Sequence, residues 1–134
     1  YGRGCRAEEM IPRWLGQTSR GESLTVFGDG AQTRDLTYVE DIARGIVDAA
    51  LSAACINVGP INLCSGIERS VWSVAQDIAD GKVSVLRGDS RPCDIRRVVG
   101  VAARAATILG WSPRVSWEDG LQRTRKAMYT PESP

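Results

Sequence analysis

The sequence contains no histidine, which removes one of the commonest catalytic and metal-binding side chains. No Ser-His or Cys-His nucleophile pair can form, and no pair of carboxylates stands at a spacing that suggests acid/base chemistry. The four cysteines show no CxxC spacing, so the chain offers neither a zinc motif nor a redox pair. We predict no catalytic residue and no metal site in this chain, and we expect free thiols at Cys5, Cys55, Cys64 and Cys93.

Long hydrophobic runs and a strong net charge are also missing. The longest apolar stretches, such as DAALSAACINV, are too short and too interrupted to span a bilayer. The 17 basic and 16 acidic side chains leave a net charge of +1, which gives no overall field for nucleic acid or for a membrane surface. We therefore predict a cytoplasmic protein that binds neither nucleic acid nor membrane.

The length of 134 residues fits one domain, 1–134, with a modest core. Apolar residues at helical spacing alternate with short β-type runs bounded by glycine, which predicts a small mixed α/β domain. The pattern lacks the regular strand-helix alternation of a complete doubly wound sheet. About five helices are predicted, over 8–21, 39–54, 71–80, 101–110 and from 116 onward. Short strands are predicted at 23–27, 36–39 and 82–86, with one or two more around a turn at 55–58 and 61–64.

Helix caps and apolar faces can be assigned to three of these helices. Ser70 is expected to cap the third helix, and Ser116 with Asp119 forms a capping box for the last. The spacing of apolar residues then predicts which side chains face the core. They are Val39, Ile42, Ile46, Ala49 and Ala50 in the second helix, Val71, Val74, Ala75 and Ile78 in the third, and Leu121, Thr124 and Met128 in the last.

The segment VFGDGAQTRDLTYVED, residues 26–41, places two glycines one residue apart after a β-type run. A dinucleotide-binding loop needs a third glycine three residues later and a helix N-terminus for the pyrophosphate, but Thr33 stands there and extended sequence follows. The glycines therefore predict a tight turn. For Arg34, between Thr33 and Asp35, two interpretations stay open: a phosphate-binding side chain or a member of a surface ion pair.

The segment RGDSRPCDIRR, residues 87–97, gathers four arginines and two aspartates around a proline. Arginine presents a planar fork that suits phosphate, so this loop is a second candidate for holding a diphosphate, with Asp94 available for a sugar hydroxyl. The alternative is a solvated loop with local ion pairs.

Read together, these segments resemble the C-terminal, substrate-binding part of the NAD-dependent epimerase/dehydratase family, the extended short-chain dehydrogenases that act on nucleotide sugars. The matching blocks occur in order along nearly the whole chain. They are YGRGC with MIPRWL, GESLTVFGDGAQTRDLTYVEDIARGI, INLCSG with SVWSVAQDIA, RPCDIRR, and LGWSPRVSWEDGLQRT.

The resemblance implies a role for several residues in binding a UDP-, dTDP- or GDP-sugar. By position, Arg34 and Arg91 are similar to arginines that contact the diphosphate, and Asp94 to their polar neighbour. The other candidates that the resemblance implies are Val26 and Phe27 beside the base, Ile11 with Pro12 in a helix start near the sugar nucleotide, and Asn62 in a turn. A complete family member would use NAD(P), but the resemblance implies no cofactor for this chain alone.

The chain departs from the family in ways that bear on activity. It has no GxxGxxG loop and no YxxxK pair, so we expect the dinucleotide-binding domain to be missing upstream of Tyr1. Cys64 and Cys93 replace glycines of the family pattern, in turns that approach ligand. One prediction is a nucleotide-sugar binding portion that is inactive alone. The other is a free-standing module for binding or assembly, which as a homodimer or with a partner covers an exposed apolar face.

Overall fold

A computed structural model describes residues 1–55 and 58–129 of the chain, and it confirms the predicted mixed α/β fold with five α-helices and short strands. The helices are α1 (Met10–Ser19), α2 (Val39–Leu51), α3 (Val71–Ala79), α4 (Ala103–Leu109) and α5 (Trp117–Tyr129), with a 3-10 turn at Ala53–Cys55. The strands are β1 (Leu24–Phe27), β2 (Thr33–Asp35), β3 (Glu68–Ser70), β4 (Val85–Gly88) and β5 (Arg97–Val98). No helix among the described residues is long and apolar enough to cross a membrane.

In the described part of the chain the strands form two small sheets. Strand β1 pairs in parallel with β4, from Leu24 opposite Val85 to Phe27 opposite Gly88. In the second sheet β2 lies between β3, which is antiparallel to it, and β5, which is parallel. The strands predicted at 36–39 and 61–64 are wrong, since neither segment joins a ladder. The strand predicted at 55–58 falls largely outside the described residues.

The core lies where α1 and α3 pack against the first sheet, and α5 adds Trp117 and Leu121 to the same cluster. Strand β1 alternates buried and half-buried residues, as expected for a strand with one face on the core. All four residues predicted to face inward from α3 are buried, and Ser70 accepts a hydrogen bond at its hydroxyl from the Ser73 N–H at 3.1 Å. Ser116 likewise accepts from the Asp119 N–H at 3.1 Å, so both caps form. Of the predicted capping box this is the Ser116 half, since the Asp119 carboxylate accepts from Arg123. The core residues include Ile11, Trp14, Leu15, Leu24, Val26, Val74, Ile78, Trp117 and Leu121.

The predicted core face of α2 is wrong at two of its five positions, since Ile46 is 58% exposed and Ala50 is also exposed. The other three, Val39, Ile42 and Ala49, are half-buried. The fully buried residues of α2 are Asp41 and Gly45. Gly45 is buried because the Leu63 side chain and the Trp111 indole approach it so closely that a Cβ there would lie within 2.8 Å of both. The apolar residues do form a stripe along α2. The side of the helix that faces inward is instead the one with Gly45, packed against Leu63 and Trp111, and the buried Asp41 carboxylate. Met128 on α5 is also exposed, against its prediction.

The glycines of the GDG segment form the predicted turn. Gly28 and Gly30 have φ of +73° and +72°, in the left-handed region that favours glycine. The Asp29 side chain accepts a hydrogen bond from the Ala31 N–H at 2.9 Å, which closes the turn locally. Strand β2 follows directly, so these glycines do not begin a helix.

Two carboxylates fasten segments that have no regular structure. Asp41, 2% exposed, accepts from the backbone N–H groups of Arg114 and Val115 at 2.9 to 3.0 Å and from the Arg44 guanidinium at 2.7 Å. Burial acts to raise the pKa of Asp41, but these hydrogen bonds outweigh it and the pKa is lowered. Asp41 therefore joins α2 to the segment before α5 as a charged group.

Asp35 likewise joins β2 to two irregular segments, the one before β3 and the one after β5. Its carboxylate accepts from the Ser65 N–H at 3.0 Å and hydroxyl at 2.6 Å, and from the N–H groups of Gly66 at 2.9 Å and Gly100 at 3.2 Å. Burial acts to raise the pKa of Asp35, but these hydrogen bonds outweigh burial and the pKa is lowered. Free thiols are confirmed for Cys5, Cys64 and Cys93. The Cys55 side chain lies outside the described residues.

We expect Asp41→Asn to lower the free energy of unfolding by about 2 kcal/mol, because one acceptor oxygen becomes an NH₂ that faces backbone N–H groups. The matched control is Asp48→Asn on the same helix. Asp48 is 41% exposed and lies 3.8 Å from Arg44, so its loss should cost less than about 0.5 kcal/mol. Urea unfolding of both variants at pH 7 measures the difference, and equal costs would contradict the role assigned to Asp41.

The same pair of variants has a defined pH dependence. Because the folded-state pKa of Asp41 is lowered, its contribution is complete above the unfolded value of about 3.9 and is lost as pH falls through the folded value. The gap in stability between the wild type and Asp41→Asn should therefore be constant near neutrality and shrink below about pH 4.

Candidate functional site

A cleft of about 220 Å³ lies between α1, the end of β1, the start of β2 and the loop between β4 and β5. Guanidinium groups, one carboxylate, one amide and aromatic rings meet there, which suits an anion joined to a flat or apolar group. Its lining residues are Met10, Arg13, Trp14, Thr25, Phe27, Gln32, Arg34, Val71, Arg91 and Asp94.

Asp94 connects the loop to β2 through both of its oxygens. One oxygen accepts from the Arg34 guanidinium at 3.0 Å and the other from the Gln32 amide at 3.2 Å. Gln32 is 6% exposed, and its amide also donates to the Phe27 carbonyl at 3.0 Å. Arg34 donates further to the carbonyls of Thr33 and Ile95, at 2.8 and 2.7 Å. The Arg34 guanidinium is therefore held at the cleft by three acceptors. The predicted ion pair is observed, and phosphate binding by Arg34 stays a prediction.

Arg91 reaches the same cleft from the middle of the loop. Its guanidinium lies over the Phe27 ring, 3.7 Å from the ring centroid, as a cation–π contact. The Arg91 side chain is exposed, so the contact orients a cation that stays accessible to a ligand. Phe27 thus supports one of the two predicted diphosphate contacts.

The other arginines of the loop make local pairs instead. Arg96 donates to both oxygens of Asp29, at 2.9 and 3.0 Å, and holds the pKa of that carboxyl below its usual value. Arg87 donates to the Asp29 carbonyl at 2.9 Å, and Arg97 pairs with Glu68. For these three residues the solvated-loop interpretation is correct, and they hold the loop against the GDG turn and the second sheet. Beside the cleft, Arg91, Asp94 and Arg96 line a further depression of about 310 Å³.

The structure brings together four of the predicted site residues and separates three. Arg34, Arg91, Asp94 and Phe27 line one cleft. Val26 and Ile11 are buried in the core, 0% and 3% exposed, and they support the cleft without lining it, as does Pro12, which is also buried. Asn62 is exposed and lies outside the lining residues. Its role remains a prediction.

Sequence reasoning missed Arg13 and Gln32. Gln32 precedes Arg34 by two residues in extended chain, so a shared orientation could have been expected from strand alternation. Arg13 lies on the exposed side of α1, and its sequence gave no sign that the helix borders the cleft.

Cys93 adopts the left-handed conformation, with φ of +62°, between Arg91 and Asp94. The family resemblance described above implies glycine at this position, and a residue with a Cβ has to be held there by its surroundings. The loop is fastened on both sides of Cys93, by Arg91 on the Phe27 ring before it and by Asp94 on Arg34 after it.

The described residues do not fit a dinucleotide cofactor at the GDG turn, because β2 and not a helix follows it. No step of hydride transfer is therefore assigned to them. Within residues 1–55 and 58–129, no three His, Cys, Asp or Glu side chains lie close enough together to hold a metal ion.

Comparison with known proteins gives consistent matches. Residues 1–63 match the model of the NAD dependent epimerase/dehydratase family. The chain is 30% identical over 130 residues to a UDP-glucuronate 4-epimerase of Thermodesulfobacterium geofontis, covering 92% of this chain and 39% of that protein. It is 32% identical to a trifunctional UDP-glucose 4,6-dehydratase/UDP-4-keto-6-deoxy-D-glucose 3,5-epimerase/UDP-4-keto-L-rhamnose-reductase of Arabidopsis thaliana, covering 92% of this chain and 19% of that protein.

A solved structure shares the architecture. The UDP-glucuronic acid 4-epimerase of Bacillus cereus, in complex with UDP-glucuronic acid and NAD, superposes with a TM-score of 0.85 at 30% identity. The match covers 96% of this chain and 42% of that one. The chain thus spans less than half the length of these three proteins.

We expect Cys93→Gly to raise the free energy of unfolding by about 0.5–1 kcal/mol, because glycine adopts the left-handed conformation without strain but gains freedom in the unfolded chain. Cys93→Ala is the matched control, since it removes the thiol and keeps the Cβ. Urea unfolding followed by tryptophan fluorescence compares them. A gain of the same size in Cys93→Ala would show that the thiol, and not the backbone, is responsible.

Proposed function

Since the chain belongs to the NAD-dependent epimerase/dehydratase family, we propose that it binds the nucleoside diphosphate part of a nucleotide sugar in the cleft beneath Arg34 and Arg91. One observation carries this proposal: two arginines 57 positions apart in sequence reach the same cleft, next to an aromatic ring and a carboxylate. A diphosphate needs several cationic donors from different directions, which this arrangement offers.

Each lining residue has a distinct part in the proposed site. Arg34 has five N–H groups and uses three hydrogen bonds on described residues, so the same side chain can be held in place and still donate to a phosphate. Arg91 adds a second cation from above the Phe27 ring. Asp94, accepting from Arg34 and Gln32, retains acceptor capacity for a ribose hydroxyl.

The chain's contribution to catalysis in a complete enzyme is positioning. NAD(P) supplies the hydride-transfer chemistry of such enzymes, and the groups that exchange protons with the sugar are not assigned to this chain. Binding energy from the nucleoside diphosphate, remote from the reacting carbon, fixes the sugar for reaction. UDP is the appropriate probe, because the names of the relatives compared above specify UDP sugars as their substrates or ligands.

We expect Arg34→Ala to weaken UDP binding by about ten- to a hundredfold, since a hydrogen bond to a charged group contributes roughly 1.5–3 kcal/mol. Isothermal calorimetry on the 134-residue chain measures the affinity. Arg34→Lys keeps the charge but loses the fork, so it should recover only part of the affinity. The matched control is Arg123→Ala, which removes an exposed arginine of α5 that pairs with Asp119 of the same helix and with Glu40 of α2. Equal affinities of Arg34→Ala and the wild type would contradict the proposal.

A second candidate function is favoured by the exposed apolar side chains of α2. Ile46, Val47 and Leu51 are 58%, 55% and 83% exposed on one stretch of helix. An exposed cluster of this kind is typical of an interaction surface. A free-standing module without enzyme activity would cover it with a second copy of the chain.

This second function predicts that the chain sediments as a dimer at micromolar concentration. The double variant Ile46→Glu with Leu51→Glu should then sediment as a monomer, because burying two carboxylates at an apolar contact is unfavourable. Met128→Glu on α5 is the control for an added charge elsewhere, and it should remain dimeric. A wild-type chain that is monomeric at every concentration would contradict self-association.

A further inference from the structure

Arg13 brings a third guanidinium to the cleft, from the first turn of α1. We propose that Arg13 binds the diphosphate of the nucleotide sugar together with Arg34 and Arg91, so that arginines from α1, from β2 and from the loop between β4 and β5 share one ligand group. This assignment rests on the proposed function, because it takes the ligand of the cleft to be a diphosphate.

The geometry of α1 places Arg13 on the wall of the cleft. Arg13 and Trp14 follow Met10 by three and four residues, so they flank Met10 on the surface of the helix. Trp14 is 2% exposed and belongs to the core, and the half-buried Met10 packs against that core. All three residues line the cleft, so the anchored tryptophan fixes the rotation of the helix and keeps Arg13 at the edge of the cleft, where its side chain is exposed.

The Arg13 guanidinium has no hydrogen bond, ion pair or ring contact with any residue that the structure describes. It differs in this from Arg34, which has three acceptors, and from Arg91, which lies on the Phe27 ring. Its five N–H groups are therefore available to a ligand. The fold does not depend on this side chain, and a planar fork of donors on the wall of a cleft suits a phosphate.

The charges of the cleft balance only when an anion is present. Asp94 is the one acidic residue among the described residues that line it, and Asp94 is paired with Arg34. Three arginines against one aspartate leave two positive charges, which is unfavourable unless an anion compensates them. A diphosphate that joins a nucleoside to a sugar carries one negative charge on each phosphoryl group. Its charge therefore matches that of the cleft when Arg13 is included and exceeds it when Arg13 is left out.

The position of Arg13 in α1 has a cost in stability. The N-terminal turn of a helix carries a partial positive charge, which disfavours a cation there. The first turn of α1 contains no acidic residue to offset Arg13, and Glu9 before it pairs with Arg6. A residue type that disagrees with its local setting is typical of a functional position. Arg13 is thus disfavoured by its own helix, and an anion in the cleft would compensate it.

The test compares the affinities of the 134-residue chain for UDP-glucose and for uridine by calorimetry, in the wild type and in Arg13→Gln. Glutamine keeps a polar side chain but removes the charge. We expect Arg13→Gln to weaken UDP-glucose binding by about five- to tenfold, less than Arg34→Ala does, because water competes for an exposed side chain. The affinity for uridine, which has no phosphate, should not change. The matched control is Arg20→Gln at the C-cap of α1, where an exposed arginine pairs with Glu22, and it should leave both affinities unchanged.

Thermal unfolding of the ligand-free chain separates binding from folding. Because Arg13 opposes the helix dipole and contacts no described residue, Arg13→Gln should raise the midpoint of unfolding by roughly 1–3 °C. Stability and UDP-glucose affinity should therefore change in opposite directions, which a structural role for Arg13 would not produce. A lowered midpoint together with weakened binding would assign Arg13 to the fold and overturn the inference.

The outcomes also separate this inference from the proposed function. If Arg34→Ala weakens UDP-glucose binding and Arg13→Gln does not, Arg13 is a solvated surface residue; the inference is then overturned and the proposed function stands. If Arg13→Gln weakens uridine binding as much as UDP-glucose binding, Arg13 contacts the nucleoside and not the diphosphate, which overturns the inference too. No binding of UDP-glucose to the wild type contradicts the proposed function and this inference with it.

Discussion

The carboxylate of Asp94 is the interaction on which the candidate site depends. It lies in a loop without regular structure and joins that loop to β2 through Gln32 and Arg34. One oxygen of Asp94 accepts from the amide of the buried Gln32, which fixes the carboxylate against the core. The other oxygen accepts from Arg34 and holds that side chain at the cleft. Because β5 is only two residues long, the sheet alone holds this loop weakly. The link at Asp94, with Arg96 on Asp29 and Arg91 on the Phe27 ring, keeps the loop at the cleft.

Carboxylates take the same part elsewhere in the fold. Asp35 and Asp41 each accept several hydrogen bonds from backbone N–H groups, and each joins segments that belong to no helix or strand. Small sheets of two and three strands position few residues through their own ladders. A charged acceptor with several donors is stronger than a neutral hydrogen bond, so it can fix a long irregular segment at one point. The chain thus uses aspartates where a larger sheet would use strand pairing.

The sequence was informative where local chemistry decides the structure. The caps of α3 and α5 and the turn at Gly28 and Gly30 follow from residue types at short spacing, and all are confirmed. It failed for α2, because an apolar stripe does not reveal whether neighbouring segments cover it, and for 61–64, because a strand needs a partner that the pattern cannot name. Residue types in two loops, and then the family resemblance, singled out Arg34, Arg91 and Asp94, which line one cleft in the structure. Their part in binding stays a prediction. Arg13 was missed because its position at the cleft depends on tertiary packing, whereas the two-residue spacing from Arg34 could have indicated Gln32.

The central claim is that the cleft recognises a diphosphate, and the affinities of UDP, UMP and uridine for the chain test it most directly. If Arg34 and Arg91 bind the two phosphates, affinity should fall stepwise from UDP to UMP to uridine, by roughly tenfold or more for each phosphate removed. It should also fall with added salt, as expected for contacts between charged groups. Equal affinities for the three compounds, or no dependence on salt, would contradict the account.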